Sequence, residues 1–586
     1  MKFHLADAVR SRPSLGASLL ALALASGCGS ADDGLESSVV PVSFAPLAPE
    51  DALSLAEVDA IVQGAAESIG ASNMAIVVVD RVGNILRVWN RDRASAAGDY
   101  DNKIAASVAR TAAYLSHSQA PLTSRTVQFI STFHFPSTFS PGFEPQAEPD
   151  ALAPLRSTFG VANTAQGPLW QIDATNRGVA HGPFDAGQEL PQLENPDGST
   201  PAPGFTPLPG GIPLYKRTAA AIADPGAFDV GRRLVGAIGV WIGSEPQGRG
   251  VPDPEAAEYA ALQGSRTLRT NPGAPFPLET YEFGPVPAEG AVYLVGVLLP
   301  FSGDQATADA ALARHGFGAW DAMGNVDAGA DGDIDPFLFL GSPRDSTAPT
   351  PHQGGLLAAE VQALVEETAL VARETHAAIR LPSASPTAMV IAVTDGAGEV
   401  LALFRMEDAT LFSVDIAITK GRNTFHYSSP NSLDADGPRA GLHPLDGIVP
   451  PGTAITCRTL GFLTQPFYPP GIAGTQPGPL FELALENRAQ ARFDQMGFAA
   501  AGPNQSGLIL VPGSAPLYKD GVLVGAIGVS GDGVEQDDYV TLMGIRRAEA
   551  RLGGVEFEPS PSIRADNFNF GGVRLPYMKF PQHPGG

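Results

Sequence analysis

Leu523-Val524-Gly525-Ala526-Ile527-Gly528-Val529 repeats, residue for residue, the earlier stretch Leu234-Val235-Gly236-Ala237-Ile238-Gly239-Val240. Other matches keep the same order on either side of it. Pro213-Leu214-Tyr215-Lys216 returns as Pro516-Leu517-Tyr518-Lys519, Thr123-Ser124-Arg125-Thr126 as Thr456-Cys457-Arg458-Thr459, and Met74–Asp80 as Met389–Asp395. Ordered self-similarity of this kind marks a duplicated unit and has to be settled before single elements are read. The first repeat is placed at 51–301 and the second at 352–586, with a Ser/Asp/Gly/Pro-rich link at 302–351. Each repeat ends in a Leu-Pro-aromatic triplet, Leu299-Pro300-Phe301 and Leu575-Pro576-Tyr577.

Periodicity supplies the elements. Apolar residues at helical spacing run over Leu53–Ile69 and from Val361 to about Ile379, so each repeat opens with an amphipathic helix. Met389–Thr394 and Val400–Phe404 are short apolar runs separated by Asp395-Gly396-Ala397-Gly398, a hairpin signature because Gly accepts positive φ. A second helix is expected over Ser413–Tyr427, with Asn102–Ser116 as its counterpart. A second hairpin follows, turning on Asp520-Gly521, and last helices close the repeats near Glu255–Leu268 and Gln536–Arg551. The order helix, hairpin, helix, hairpin, helix predicts an α+β fold of two tandem repeats in a profilin/PAS-like layout. Each would be an antiparallel sheet with its helices on one side.

Composition limits what such a chain does. With 586 residues, 62 acidic against 37 basic side chains and a formal charge of −25, a folded surface repels phosphate backbones, so no nucleic-acid partner is expected. Two cysteines, Cys28 and Cys457, exclude a disulfide scaffold, a Cys-based zinc site and CxxCH haem attachment. Residues 1–28 place Lys2, Arg10 and Arg12 before the apolar run Leu15–Ala25 and the small residues Ala25-Ser26-Gly27-Cys28. That pattern resembles a bacterial lipoprotein signal with Cys28 as the lipidated residue, residues 29–50 as a polar tether and Gly29 suited to outer-membrane sorting. It implies a protein of the bacterial cell envelope, held to the membrane through its lipid alone.

The second repeat also resembles a known family. Val390–Asp395, Gly398, Leu403-Phe404-Arg405-Met406-Glu407-Asp408-Ala409, Lys420-Gly421-Arg422, Asp520-Gly521, Gly525–Gly531 and Gln536-Asp537 resemble, in order and spacing, the GlcG/HbpS-like haem-binding family. The same domain type resembles the C-terminal domain of certain corrinoid adenosyltransferases. The first repeat is a weaker copy, with Val108 in place of the lysine and Trp241-Ile242 in place of Ser-Gly. The resemblance implies a tetrapyrrole ligand, haem, bound near the second repeat, in a family that is often oligomeric and sometimes described as haem-degrading. Two copies in one chain could instead pair with each other.

Haem needs an apolar slot, an axial donor and groups for its propionates. His376, in the first helix of repeat 2, and His426, in the second, are the candidate axial ligands to iron. Lys420, Arg422 and Arg458 are candidate carboxylate partners, and Gly525 and Gly528 mark a close approach of ligand or helix to the strand. The bland alternatives are solvated helix charges, packing histidines, loop hydrogen bonds around Arg125 and Arg458, and helix packing at the glycines. No HExxH, GxSxG, Walker loop or GxGxxG follows the pattern its chemistry requires, so no motif establishes catalysis. Asp327, Asp331, Asp333 and Asp335 suggest calcium, but Pro336 stands where an EF-hand loop needs Gly. The function expected is haem capture, storage or sensing at the envelope. A ligand-free scaffold is the first alternative, and a haem-degrading enzyme the second.

Overall fold

The computed structural model describes residues 52–81, 83–91, 96–131, 167–169, 205–217, 232–243, 252–267, 292–294, 297–320, 325–326, 355–382, 384–430, 443, 445–470, 472, 475–484 and 508–585. The expected signal segment 1–28 with Cys28, the expected tether 29–50 and the acidic run from Asp327 to Asp335 lie outside them.

In the first repeat, α1 (Leu55–Ser68) leads into the hairpin β1 (Met74–Asp80) and β2 (Ile85–Asn90), then α2 (Ala96–Leu115) and the short α3 (Ser124–Ile130). A second hairpin, β3 (Gly211–Arg217) and β4 (Arg232–Ile242), precedes α4 (Pro254–Arg266). Helix α5 (Gln305–His315) and strand β5 (Asn325–Val326) follow. The second repeat runs α6 (Ala358–Glu374), β6 (Val390–Asp395), β7 (Val400–Arg405), α7 (Ser413–Ser428), α8 (Cys457–Leu463), β8 (Ser514–Lys519), β9 (Val522–Ser530) and α9 (Val534–Leu552). The fold is α+β: strands order β3-β4-β1-β2-β5 in one sheet and β8-β9-β6-β7 in the other, with antiparallel neighbours.

The duplication extends to irregularities. Register slips between Val78 and Val79 and again between Val393 and Thr394, and the second hairpins slip at Leu214/Tyr215 and Leu517/Tyr518. Asp520 and Gly521 take φ of 52° and 77°, the positive values a two-residue primed turn demands. Lys216 reaches Glu57 of α1 at 2.8 Å, and Lys519 reaches Glu360 of α6 at 2.8 Å.

One expectation needs correction. Helices cover both sheet faces rather than one: Ala75, Val77 and Val79 pack with α2, while Met74, Ile76 and Val78 pack with α1 and α4. That is why β1 and β6 are near-continuous apolar runs instead of alternating ones. The described residues of the 302–351 link make contacts with the first repeat. Asp253 binds Arg314 and His315 of α5, each at 2.9 Å, Trp320 stacks on Trp89, and β5 pairs with β2.

The Thr-x-Arg-Thr match and the Leu-Pro-aromatic match prove to be two halves of one device. Thr123 and Thr126 donate to the carbonyls of Phe301 and Pro300, both at 2.7 Å. Thr456 and Thr459 donate to those of Tyr577 at 2.5 Å and Pro576 at 2.7 Å. The same threonines cap α3 and α8. Thr456→Val removes a cap and a buried hydrogen bond together, so urea unfolding should show a loss of about 2 kcal/mol.

The described residues, 52–585, fall within one compact unit. One apolar core runs from Val77, Ala109 and Leu115 of the first repeat to Phe412, Ala417 and Val393 of the second. Tyr114, Phe205 and Phe412 meet edge to face across it, with centroids 6.0 and 6.4 Å apart.

Candidate functional site

What the two repeats share is needed by the fold, so comparing them separates scaffold from site. Arg422 donates from Nε to the carbonyl of Gly398 at 2.7 Å, and Arg110 does the same to Gly83 at 3.0 Å. Both clamp the first hairpin to the helix beside it, and burial lowers the Arg422 pKa to about 10. Arg458 pairs with Asp538 of α9 and donates to the Val534 carbonyl, while Arg125 pairs with Glu255 and Glu258 of α4. Gly528 and Gly239 admit a helix: a Cβ there would lie 2.0 Å from the Ala417 carbonyl oxygen and 2.1 Å from that of Ala105. A Cβ on Gly525 would lie 2.5 Å from the Thr394 carbonyl oxygen, and one on Gly236 would lie 2.1 Å from that of Val79.

Lys420 is different. Its ammonium is fully buried, donating to Asp537 at 2.8 Å and to the Val529 carbonyl at 2.6 Å. Burial pushes the Asp537 carboxyl up to about 7, against the lowering pull of Lys420. Oδ1 of Asp537 has no hydrogen-bond partner among the described residues. The first repeat solves the same place without charge. The Gly513 carbonyl accepts from Val529 N at 2.8 Å, and the Gly210 carbonyl from Val240 N at 3.0 Å. A Cβ on Gly513 would meet Asp537 and Lys420, where one on Gly210 meets Ala257 and Val108. A buried ion pair is weak evidence for stability, and an apolar pair of suitable shape often folds as well. Val108 and Ala257, both beside Gly210, fill the corresponding places in the first repeat without charge, so the ion pair is particular to repeat 2. Sequence reading found Lys420 and gave Asp537 no role, although Asp537 and Ala257 occupy corresponding places as Lys420 and Val108 do.

The histidines differ in reach. Helix α6 ends at Glu374, so His376 lies beyond the first helix rather than in it. There its N–H donates to the Pro584 carbonyl at 2.7 Å and the chain bridges to Pro386. The helix stops because Thr375 turns extended and Ala377 N binds the Ser385 carbonyl, leading the chain toward a buried Arg380. His376 is half-buried beside Ala377, Ala378 and Ile379, and its ring makes no hydrogen bond or ion pair among the described residues. His426 is 2% exposed and meets Tyr427 edge to face. Cys457 is buried with its thiol pKa raised by burial, and its Sγ lies 3.6 Å from the Lys420 carbonyl oxygen, a packing role.

For haem, the donor set fits in part. His376 offers a half-buried imidazole reachable from solvent, followed in the chain by Ala377, Ala378 and Ile379, whereas His426 would have to leave the core. Lys420, Arg422 and Arg458 point inward to protein partners, so they hold the fold together around the site and none is turned to a propionate. Among the described residues no group of three or more His, Cys, Asp or Glu could hold a metal ion by itself, and no helix is long and apolar enough to cross a membrane.

Comparison with known proteins adds the following. No curated protein matches the chain. The crystal structure of Klebsiella pneumoniae protein ORFY aligns at 18% identity over 35% of this chain and 98% of that one, with TM-score 0.22. That of a PduOC–haem complex aligns at 19% identity over 35% and 99%, with TM-score 0.19. Residues 479–546, from Pro479 through β8 and β9 into α9, match the family described as haem degrading protein HbpS-like. The match falls on part of the stretch whose motifs carry the resemblance, and over those residues the second repeat is similar to that family.

Proposed function

We propose that this is an exported haem-binding protein of the cell envelope, lipidated at Cys28, that takes the tetrapyrrole at its second repeat. The half-buried ring of His376, without a hydrogen-bond or ion-pair partner among the described residues, carries the reading, and the HbpS-like segment of the same repeat supports it. Haem, when bound, supplies an iron that accepts an imidazole nitrogen. This chain's part is to present that nitrogen and to cover the macrocycle edge with Ala377, Ala378 and Ile379. Capture, storage or sensing follows from binding alone. Degradation, which the family description names, would in addition need an open iron position and a reductant.

A haemin titration of the chain, followed at the Soret band, tests the proposal. Saturable binding should weaken at least tenfold in His376→Ala and persist in His426→Ala. Equal binding by wild type and His376→Ala would move the site elsewhere. No saturable shift would favour the second reading, a scaffold without ligand, which the inward-turned Lys420, Arg422 and Arg458 support.

A further inference from the structure

A second buried charged cluster lies where the repeats meet, next to the segment that leaves His376, since Ala378 N donates to the Asp532 carbonyl at 2.8 Å; the haem reading gives its charged groups no role. Arg380 of repeat 2 is its hub, donating to Asp532 at 2.5 Å, to Asp408 at 2.8 Å and to the side-chain oxygen of Gln119 in repeat 1 at 2.9 Å. The turn His117–Ala120 of repeat 1 supplies the other side. Ser118 N donates to Asp408 at 3.0 Å, the Gln119 amide donates to the Leu381 carbonyl at 3.1 Å and to Ser385 at 3.2 Å, and Leu381 N donates to the Gln119 carbonyl. The turn itself is held by the His117 ring, whose Nδ1 accepts from the N–H groups of Gln119 at 3.2 Å and Ala120 at 3.1 Å.

We propose that the His117–Ala120 turn is an acid-sensitive latch between the two repeats, closed while His117 is neutral and opened when Nδ1 takes a proton. With Nδ1 accepting two backbone hydrogen bonds, the ring proton sits on Nε2. A second proton on Nδ1 would face two N–H donors, so the turn must unfold to admit it. Every contact that Ser118 and Gln119 make to repeat 2 is then released.

The surroundings do not rescue the charge. Nε2 lies 3.6 Å from Oδ1 of Asp532, beyond hydrogen-bond length, and neither atom has another hydrogen-bond partner among the described residues. Asp408 approaches only to 4.0 Å, and Arg380 already neutralises both carboxylates from within the cluster. The Tyr215 hydroxyl donates to the His117 carbonyl at 3.0 Å, and Arg405 and Arg81 lie close enough to Asp408 to share its field, with Glu407 beside Arg81. Burial first, and Arg380 second, lower the His117 pKa to about 4 from an ordinary 6.5. The open form therefore binds the proton first as pH falls. Docking is complete above about 6.5 and is lost as pH falls toward 4. Linkage over that window raises the opening constant about twentyfold between pH 7 and pH 5.

Amide hydrogen exchange on the full chain tests this, read as protection factors so that the intrinsic pH dependence cancels. Peptides over 116–122 and 378–388 should lose about twentyfold protection from pH 7 to pH 5, while those over β6 and β9 hold theirs. His117→Gln, which keeps an acceptor and cannot take the proton, should remove the pH dependence. Asp408→Asn, which leaves His117 intact and weakens the closed state, should show the junction peptides exposed already at pH 7. Protection that is independent of pH in the wild type, or a loss of the same size in His117→Gln, would overturn the latch. If His117→Gln does not fold, Asp408→Asn decides alone: junction protection at pH 7 equal to wild type would also overturn it.

Discussion

Lys420→Met should lower the stability of the second repeat by about 3–5 kcal/mol, and adding Asp537→Ala to Lys420→Val should recover most of that loss. The single change strands a carboxylate that is fully buried and that burial has already pushed up to about 7. Without the ammonium it must either remain charged in the core or take a proton. Proton uptake makes the loss smaller at pH 5 than at pH 8, a sign that urea unfolding at the two values would read directly. The double change instead installs the two residues that the first repeat carries at these places, Val108 and Ala257, both beside Gly210. If the double variant is as unstable as the single one, the ion pair is a folding requirement and loses its claim to function. If it is stable and haemin binding falls, the pair acts on the site rather than on the scaffold.

Gly528→Ala is the second large effect. The new methyl would sit 2.0 Å from the Ala417 carbonyl oxygen, inside the backbone of α7 and not against a flexible side chain. Relief requires α7 to lift from β9 along the contact that buries Ala417, Ile527 and Val529, so the expected cost is on the order of 3 kcal/mol. Gly239→Ala repeats the experiment in the first repeat, with 2.1 Å to Ala105. Thermal unfolding checks both, and an unchanged transition in Gly528→Ala would contradict the close helix approach.

What the sequence made legible follows from range. The hairpin at Asp520-Gly521, the bounds of the second helices and the duplication itself are carried by neighbouring residues. In repeat 2 Ser413–Tyr427 was expected and Ser413–Ser428 observed, whereas in repeat 1 Asn102–Ser116 was expected and Ala96–Leu115 observed, six residues longer at its start. The end of the first helix did not emerge, because Ala377–Ile379 continue an apolar period that Ser385, Pro584 and Arg380 divert from outside. The helices on the second sheet face were misread for a related reason, since a strand buried on both sides has no alternation to read. The site divides the same way. Lys420 stood out as a residue type, but its partner lies 117 positions away, and Asp408 meets Ser118 across 290. Contacts of that span leave no local pattern. The family motif included Asp537 without a role, and laying the two repeats over each other was what paired it with Lys420. It also explains Arg422 and Arg458, whose equivalents Arg110 and Arg125 make comparable contacts in a repeat without the lysine.

The tip of the second hairpin has an engineering consequence. Strands β8 and β9 are joined by Asp520 and Gly521 alone, whereas β3 and β4 are joined by residues 218–231, yet both pairs keep the same slip at the same leucine and tyrosine. Sheet pairing is therefore indifferent to the length of that connection, and lengthening it sevenfold costs only about 1.7 kcal/mol of closure entropy. Position 520–521 is an entry port: a fluorescent reporter or affinity tag spliced there would leave both sheets in register and track the second repeat from its own surface.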